Sequence, residues 1–287
     1  MRNPRNRLRF LSRFGALSLA SVALVAGIFA APAAAAPTAV SAAANRPASQ
    51  LEFVALGDSF TSGQGAPPYS DAACLTSRAR SYPVVSSVLS RYQLSVNEAC
   101  SGARIADIPA QLGAYSASTR LVTITVGGID AGSTAVLQAC SADPAGPACA
   151  IAVGASMQTL GSPEFAYGLA QAYATIAALR PNAQVAVLGY ARLFEPNSAV
   201  PVTALVNGGT DALNAVIAGT VAAMGHPRVR FVDVGQEFAG HGIGSAVPYI
   251  AFDPANPLAP ANFHPNAAGN AFGYHRALVN DGILARP

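Results

Sequence analysis

Leu51-Glu52-Phe53-Val54-Ala55-Leu56-Gly57-Asp58-Ser59-Phe60-Thr61-Ser62-Gly63 is the stretch on which the fold turns. Leu51 to Leu56 is a short apolar run of the kind found in fully buried strands. Gly57 lets the chain turn sharply, and Asp58 and Ser59 suit a helix N-cap. The stretch therefore reads strand, tight turn, helix. A serine at such a turn faces backbone N–H groups, which suits a nucleophile whose product oxyanion needs donors. Read alone, Gly57-Asp58-Ser59 favours plain capping chemistry over a nucleophile. It is not the G-x-S-x-G elbow, because Thr61 stands where the last glycine would be.

The same alternation continues along the chain. Further strand patterns run over Gln93–Glu98, Leu121–Val126, Gln184–Leu188 and Val229–Val234. Helix-like stretches lie between them over about 79–91, 134–140, 163–180 and 202–224, and a last over 265–283. Strands alternating with helices predict an α/β protein: a three-layer α/β/α sandwich around a central parallel sheet. Such sheets bind ligands beyond the carboxyl ends of their strands, so the segments following each strand are where function is sought.

After the second strand comes Cys100-Ser101-Gly102-Ala103, a small-residue turn that allows close backbone approach or simply holds a bridged cysteine. After the third comes Gly127-Gly128-Ile129-Asp130. Near the C-terminus, Phe263-His264-Pro265 puts Pro265 at the expected first position of the final helix and His264 at the strand-end side of the domain. A neutral imidazole there can serve Ser59 as general base. His226, His241 and His275 read as ordinary hydrogen-bonded histidines, with His241 a weak rival base. The Gly240, Gly242, Gly244 series lacks the spacing and preceding strand of a dinucleotide site.

The composition excludes several classes. Of 287 residues, 52% are hydrophobic and 11% charged, which fits neither a disordered chain nor a nucleic-acid binder. All 17 basic residues are arginine, so lysine-dependent phosphate loops, Schiff bases and kinase chemistry are ruled out. Arg2 to Arg13, an apolar run from Phe14 to about Ala31, and Ala33-Ala34-Ala35-Ala36 predict a secretory signal peptide over 1–36. The alternative is an uncleaved anchor tethering the protein to the cell surface. Cleavage leaves 12 arginines against 14 acids, a balance of −2, so the basic pI belongs to the leader. Residues 37–50 read as a flexible lead-in, and residues 51–287 as one domain. Secretion makes disulfides the natural state of the four cysteines. They allow three connectivities, of which sequential pairing, Cys74–Cys100 and Cys140–Cys149, is expected. A zinc site is disfavoured by the lack of C-x-x-C and of paired histidines.

In order, these blocks resemble the GDSL or SGNH hydrolase family, and most closely its secreted actinobacterial lipases and esterases. Phe53–Gly63, Asn97–Ala103, Val122–Asp130 and Phe263–Pro265 match its main blocks, and Gly189–Phe194 and Phe238–Gly242 are similar to lesser ones. The resemblance implies a flavodoxin-like SGNH fold with Ser59 as nucleophile and His264 as base. It implies an oxyanion hole of the Ser59 and Gly102 N–H groups. It implies a secreted, monomeric esterase or lipase acting on a small-molecule or lipid ester, with no metal, organic cofactor, nucleic acid or stable protein partner.

Three departures stand out. The family's third block ends G-x-N-D, with the asparagine donating to the oxyanion, and here that position is Ile129. Loss of one such donor costs on the order of 3 kcal/mol in barrier. The usual acid lies three residues before the histidine, and here that residue is Ala261, so the Ala261 backbone carbonyl is expected to orient His264, with Asp253 a lesser choice. A cysteine common after the G-H-G is replaced in the region of Gly244. Ile129 also supports an alternative, a non-catalytic protein binding acyl chains or cell-wall glycans. A carbohydrate acetyl esterase is a further alternative.

Overall fold

The computed structural model describes residues 50–284 apart from Tyr115 and Pro257. The signal peptide expected over 1–36, and all but the last residue of the lead-in over 37–50, lie outside the described residues. From the N-terminal side come β1 (Leu51–Gly57), α1 (Ser59–Ser62), the small antiparallel pair β2 (Tyr69–Asp71) and β3 (Thr76–Ser77), α2 (Tyr82–Leu89) and β4 (Tyr92–Asn97). Then follow α3 (Ile108–Leu112), β5 (Thr119–Thr125), α4 (Ser133–Ala142), α5 (Pro147–Leu160) and α6 (Pro163–Leu179). The remainder is β6 (Gln184–Leu188), α7 (Thr203–Met224), β7 (Val229–Val232), α8 (Gly235–Phe238), a π-helical turn (Gly269–Tyr274) and α9 (His275–Asn280).

β1, β4, β5, β6 and β7 form one parallel sheet in the order β4-β1-β5-β6-β7. The winding reverses beside β1, and the carboxyl ends of β1, β4 and β5 meet at that reversal. Side chains alternate across the sheet with the period of two that pleating imposes. Phe53 and Ala55 enter one core with Tyr82 of α2, Phe238 of α8 and Leu278 of α9. Val54 and Leu56 enter the other with Leu112 of α3, Tyr173 of α6 and Ile217 of α7. Leu121 and Leu188 belong to the first core, and Ile124 and Val187 to the second. Both faces of the sheet are thus covered, which is why its strands read as apolar runs rather than alternating ones. Each fully buried aliphatic side chain contributes about 2 kcal/mol. The result is the three-layer α/β/α sandwich. No helix among the described residues is long and apolar enough to cross a membrane.

One helix lacks a sequence signal, and one expected helix is displaced. Pro147–Leu160 is a helix that the sequence does not announce. Its Ile151 and Met157 point to solvent, so it carries no apolar stripe at helical spacing. The single helix expected over 265–283 starts later and is interrupted. Pro265 is not its first residue but lies in an antiparallel bridge with Ile250. Asn266 caps the helical segment instead, its Oδ1 accepting from Gly269 N–H at 3.0 Å.

Candidate active site

Gly57 ends β1 with φ 122°, and a Cβ there would lie 2.1 Å from the Thr125 carbonyl oxygen. Only glycine lets β1 run this close to β5 and still turn. Asp58 then caps α1, its Oδ1 accepting from Phe60 N–H at 3.1 Å. Ser59 is the first residue of that helix and is 6% exposed.

Ser59 and His264, 205 positions apart in sequence, are joined by one hydrogen bond, Ser59 Oγ to His264 Nε2 at 2.8 Å. The ring is fixed from its other side, where Nδ1 lies 2.7 Å from the Asn262 carbonyl oxygen. A carbonyl only accepts, so Nδ1 carries the proton and Nε2 is the acceptor facing the serine hydroxyl. Burial lowers the His264 pKa to about 4, partly opposed by the Asn262 carbonyl, so the imidazole is neutral near pH 7.

The Asn262 contact corrects the expectation that Ala261 orients the histidine. Phe263, between Asn262 and His264, has φ 62°. This left-handed residue folds the chain back so that the carbonyl two residues before the ring, not three, meets Nδ1. Asp253 is not the orienter either: it is exposed, and its Oδ1 accepts from Ala255 N–H at 2.9 Å. His241 stacks on Tyr249 at 3.7 Å and lies outside the cleft that holds Ser59.

Gly102 follows β4 with φ 80°. Cys74–Cys100 ties its turn to the β2–β3 hairpin region, and Ser101 N–H donates to the Cys74 carbonyl at 3.0 Å. Among the described residues, the Ser59 and Gly102 N–H groups donate to no protein acceptor. Both residues line the same cleft, as does Ile129. Asp130, next to Ile129, is spent on structure, its Oδ2 accepting from Ile105 N–H at 3.1 Å.

The cleft has a volume of about 1020 Å³. Its walls are mostly apolar, with Leu137, Leu160, Leu193, Val206 and Leu213 among them. Cys140–Cys149 staples α4 to α5 along one wall. Among the described residues no arginine lines it, and its only ionisable groups besides Tyr190 and bridged Cys140 are Asp58 and His264.

Several site residues escape a reading of the sequence. Gln64 bridges two loops: its Nε2 donates to the Pro260 carbonyl at 2.6 Å, and its Oε1 accepts from Ser101 Oγ at 2.6 Å. Asp58 is 2% exposed and also accepts from Thr125 Oγ1 at 2.8 Å and from the Tyr190 hydroxyl. Burial raises its pKa to about 6 against the pull of those donors. The one sequence signal for Tyr190 is its place just beyond the apolar strand β6.

A serine hydroxyl bonded to a half-buried, carbonyl-oriented imidazole, at the switch point of a parallel α/β sheet, has the arrangement of a serine hydrolase. Residues 55–272 match the GDSL-like Lipase/Acylhydrolase family. A lipase of Streptomyces rimosus is 35% identical over 247 residues, covering 82% of this chain and 88% of the relative. Lipase 1 of Streptomyces coelicolor is 35% identical over 271 residues, covering 89% and 94%. Among solved structures, an extracellular lipase from Streptomyces rimosus has a TM-score of 0.71 at 33% identity, covering 80% of this chain and 99% of its own. A phospholipase A1 from Streptomyces albidoflavus NA297 has a TM-score of 0.71 at 30% identity, with coverages of 80% and 99%. The chain belongs to the GDSL-like lipase/acylhydrolase family, whose members are carboxylic ester hydrolases.

Proposed function

We propose that the protein is a secreted, monomeric serine esterase that hydrolyses neutral acyl esters of lipid type. Its working unit is the single domain over 51–287, released from a signal peptide over 1–36 and a lead-in over 37–50. The observation that carries the reading is the 2.8 Å contact between Ser59 Oγ and a neutral His264 Nε2.

In this reading His264 Nε2 takes the Ser59 hydroxyl proton as Oγ attacks the ester carbonyl. The oxyanion accepts from the Ser59 and Gly102 N–H groups. The imidazolium then protonates the leaving alcohol, and the acyl group stays on Ser59. Water next gives a proton to the same Nε2 while its oxygen attacks the acyl carbonyl. Return of that proton to Oγ frees the acid and restores the serine. The Asn262 carbonyl holds the ring through both halves.

The substrate class follows from the cleft. An apolar cavity without arginine favours a neutral acyl ester over a phosphoester or another strongly anionic substrate. The lipase and phospholipase A1 names of its relatives fit a lipid acyl ester as the bond cleaved. Ile129 supplies no side-chain donor, and that specific feature keeps a non-catalytic acyl-binding protein as the second reading.

The test is hydrolysis of 4-nitrophenyl butyrate by the oxidised protein beside Ser59→Ala. Turnover in the parent that Ser59→Ala abolishes is the expected result. Equal, near-background rates over a series of chain lengths would overturn the esterase and favour the binding protein.

A further inference from the structure

We infer that Tyr190 is a positioning residue for ester hydrolysis at Ser59: its hydroxyl, clamped between the Gly128 amide and the Asp58 carboxylate, locks the loop bearing Ile129 onto the nucleophile turn. The inference rests on the Ser59–His264 reading given above.

Tyr190 stands just beyond β6, and its backbone is gripped from α7. Tyr190 N–H donates to Asn214 Oδ1 at 2.8 Å, and Asn214 Nδ2 donates to the Tyr190 carbonyl at 2.8 Å. The phenol thus reaches forward from a fixed base. Its oxygen accepts from Gly128 N–H at 3.1 Å, and its proton goes to Asp58 Oδ2. A Cβ on Gly128 would sit 3.3 Å from the ring, so the loop lies flat against the tyrosine. The ring also meets Phe60 edge-on at 5.0 Å, and Phe60 lies 5.4 Å from the His264 ring. One side chain therefore touches the nucleophile turn and the β5 loop, and reaches the histidine through Phe60.

Two features make this link matter for the reaction. The peptide unit joining Asp58 to Ser59 carries the Ser59 N–H, so holding Asp58 sets the direction of an oxyanion donor. Ile129 cannot anchor its loop by a side-chain hydrogen bond at the reacting carbonyl, so the placement of that loop falls to its backbone, which Tyr190 holds at Gly128.

The link also depends on the charge of Asp58. As a carboxylate it accepts from Phe60 N–H, Thr125 Oγ1 and Tyr190. Protonation turns one oxygen into a donor and reverses the bond to Tyr190, whose oxygen already accepts from Gly128. The other titratable groups near it are Tyr173 from α6, Tyr82 from α2, Tyr274 from the π-helical turn and Asp130 beyond β5, with His264 across Phe60. Burial dominates over all of them in raising the carboxyl to about 6.

The test compares Tyr190→Phe with Tyr274→Phe. Tyr274 is also buried, and its hydroxyl donates to the Gly189 carbonyl at 2.9 Å, but it makes no hydrogen bond to Asp58 or Gly128. With 4-nitrophenyl butyrate, Tyr190→Phe should lower kcat about 10- to 100-fold with KM little changed. Its acidic limb, near pH 6 in the parent, should move up by about one unit. Tyr274→Phe should leave the limb in place. Asp58→Asn, which presents an amide donor to Tyr190, should be slow at all pH values and lack that limb. Equal losses in the two tyrosine variants, or an unmoved limb in Tyr190→Phe, would overturn the inference. A second readout needs no turnover: the carbon-13 titration of the Asp58 carboxyl in a Ser59→Ala background. Tyr190→Phe should raise it by about one unit, and no shift would overturn the inference. An inactive parent would count against the esterase reading alone, because the carboxyl titration still decides the link.

Discussion

Nδ1 of His264 lies 2.7 Å from the carbonyl oxygen of Asn262, two residues earlier in the same loop. Main chain thus occupies the place that a carboxylate fills in many hydrolases. A dipole orients the ring without placing a second charge beside it. The carbonyl cannot take the proton, so the tautomer is fixed for as long as Phe263 keeps its left-handed conformation.

Ala261→Asp restores an acid at the family's usual position. It should leave kcat/KM within about threefold of the parent, because Nδ1 is already satisfied. A rise of about tenfold or more on 4-nitrophenyl butyrate would show that the Asn262 carbonyl is not the working orienter.

Ile129→Asn returns a side-chain donor to the edge of the cleft. If the oxyanion forms between Ser59, Gly102 and position 129, kcat should rise by about tenfold or more. KM should change little, because the gain belongs to the transition state. An unchanged kcat in a folded variant would place the oxyanion away from residue 129.

Asp58 and His264 work against each other in the pH dependence of stability. The Asp58 pKa rises from 3.8 to about 6 on folding, so the native state holds an extra proton between those values. Its contribution is present at low pH and is lost as pH rises through that window. The His264 pKa falls from 6.5 to about 4, so there the unfolded chain holds the extra proton. That contribution is present above pH 6.5 and is lost as pH falls towards 4. Each is worth about 3 kcal/mol, and the two nearly offset. Urea unfolding between about pH 4.5 and 6.5 should separate them. Relative to the parent, stability should rise more steeply with pH in Asp58→Asn and less steeply in His264→Gln. Parallel curves for all three proteins would refute this assignment.

Leu160 is 6% exposed and lines the cleft from α5. Leu160→Trp fills part of the cavity. It should lower kcat/KM on a dodecanoyl ester about tenfold and spare the butyryl ester. Equal effects on both esters would show that long acyl chains do not pass Leu160.

The sheet was legible because β-branched and apolar runs end at glycine, as Leu121–Val126 before Gly127 and Gln184–Leu188 before Gly189 show. Ser59 is legible because it follows such a run across the Gly57 turn, and Gly102 because it lies in the small-residue turn after one; His264 stands out only within Phe263-His264-Pro265, ahead of a helix that begins later than expected. What the sequence hid was conformational or distant. Nothing about Phe263 signals a positive φ, and without that angle Ala261 looked the better partner. The Asp58–Tyr190 bond joins residues 132 apart, a contact no local pattern encodes. Pro147–Leu160 has no sequence signal because its mostly exposed alanines and glycine carry no period.

The arginine-free cleft also bears on how a catalytic cycle ends. Hydrolysis leaves a carboxylate where a neutral ester lay, and no cationic side chain among the described lining residues retains it. Above about pH 6 the charged side chain among the described lining residues is the Asp58 carboxylate, which repels it. The newly made acid is thereby expelled by its own ionisation, and fatty-acid inhibition should strengthen on acidification, as Asp58 and the product both become neutral.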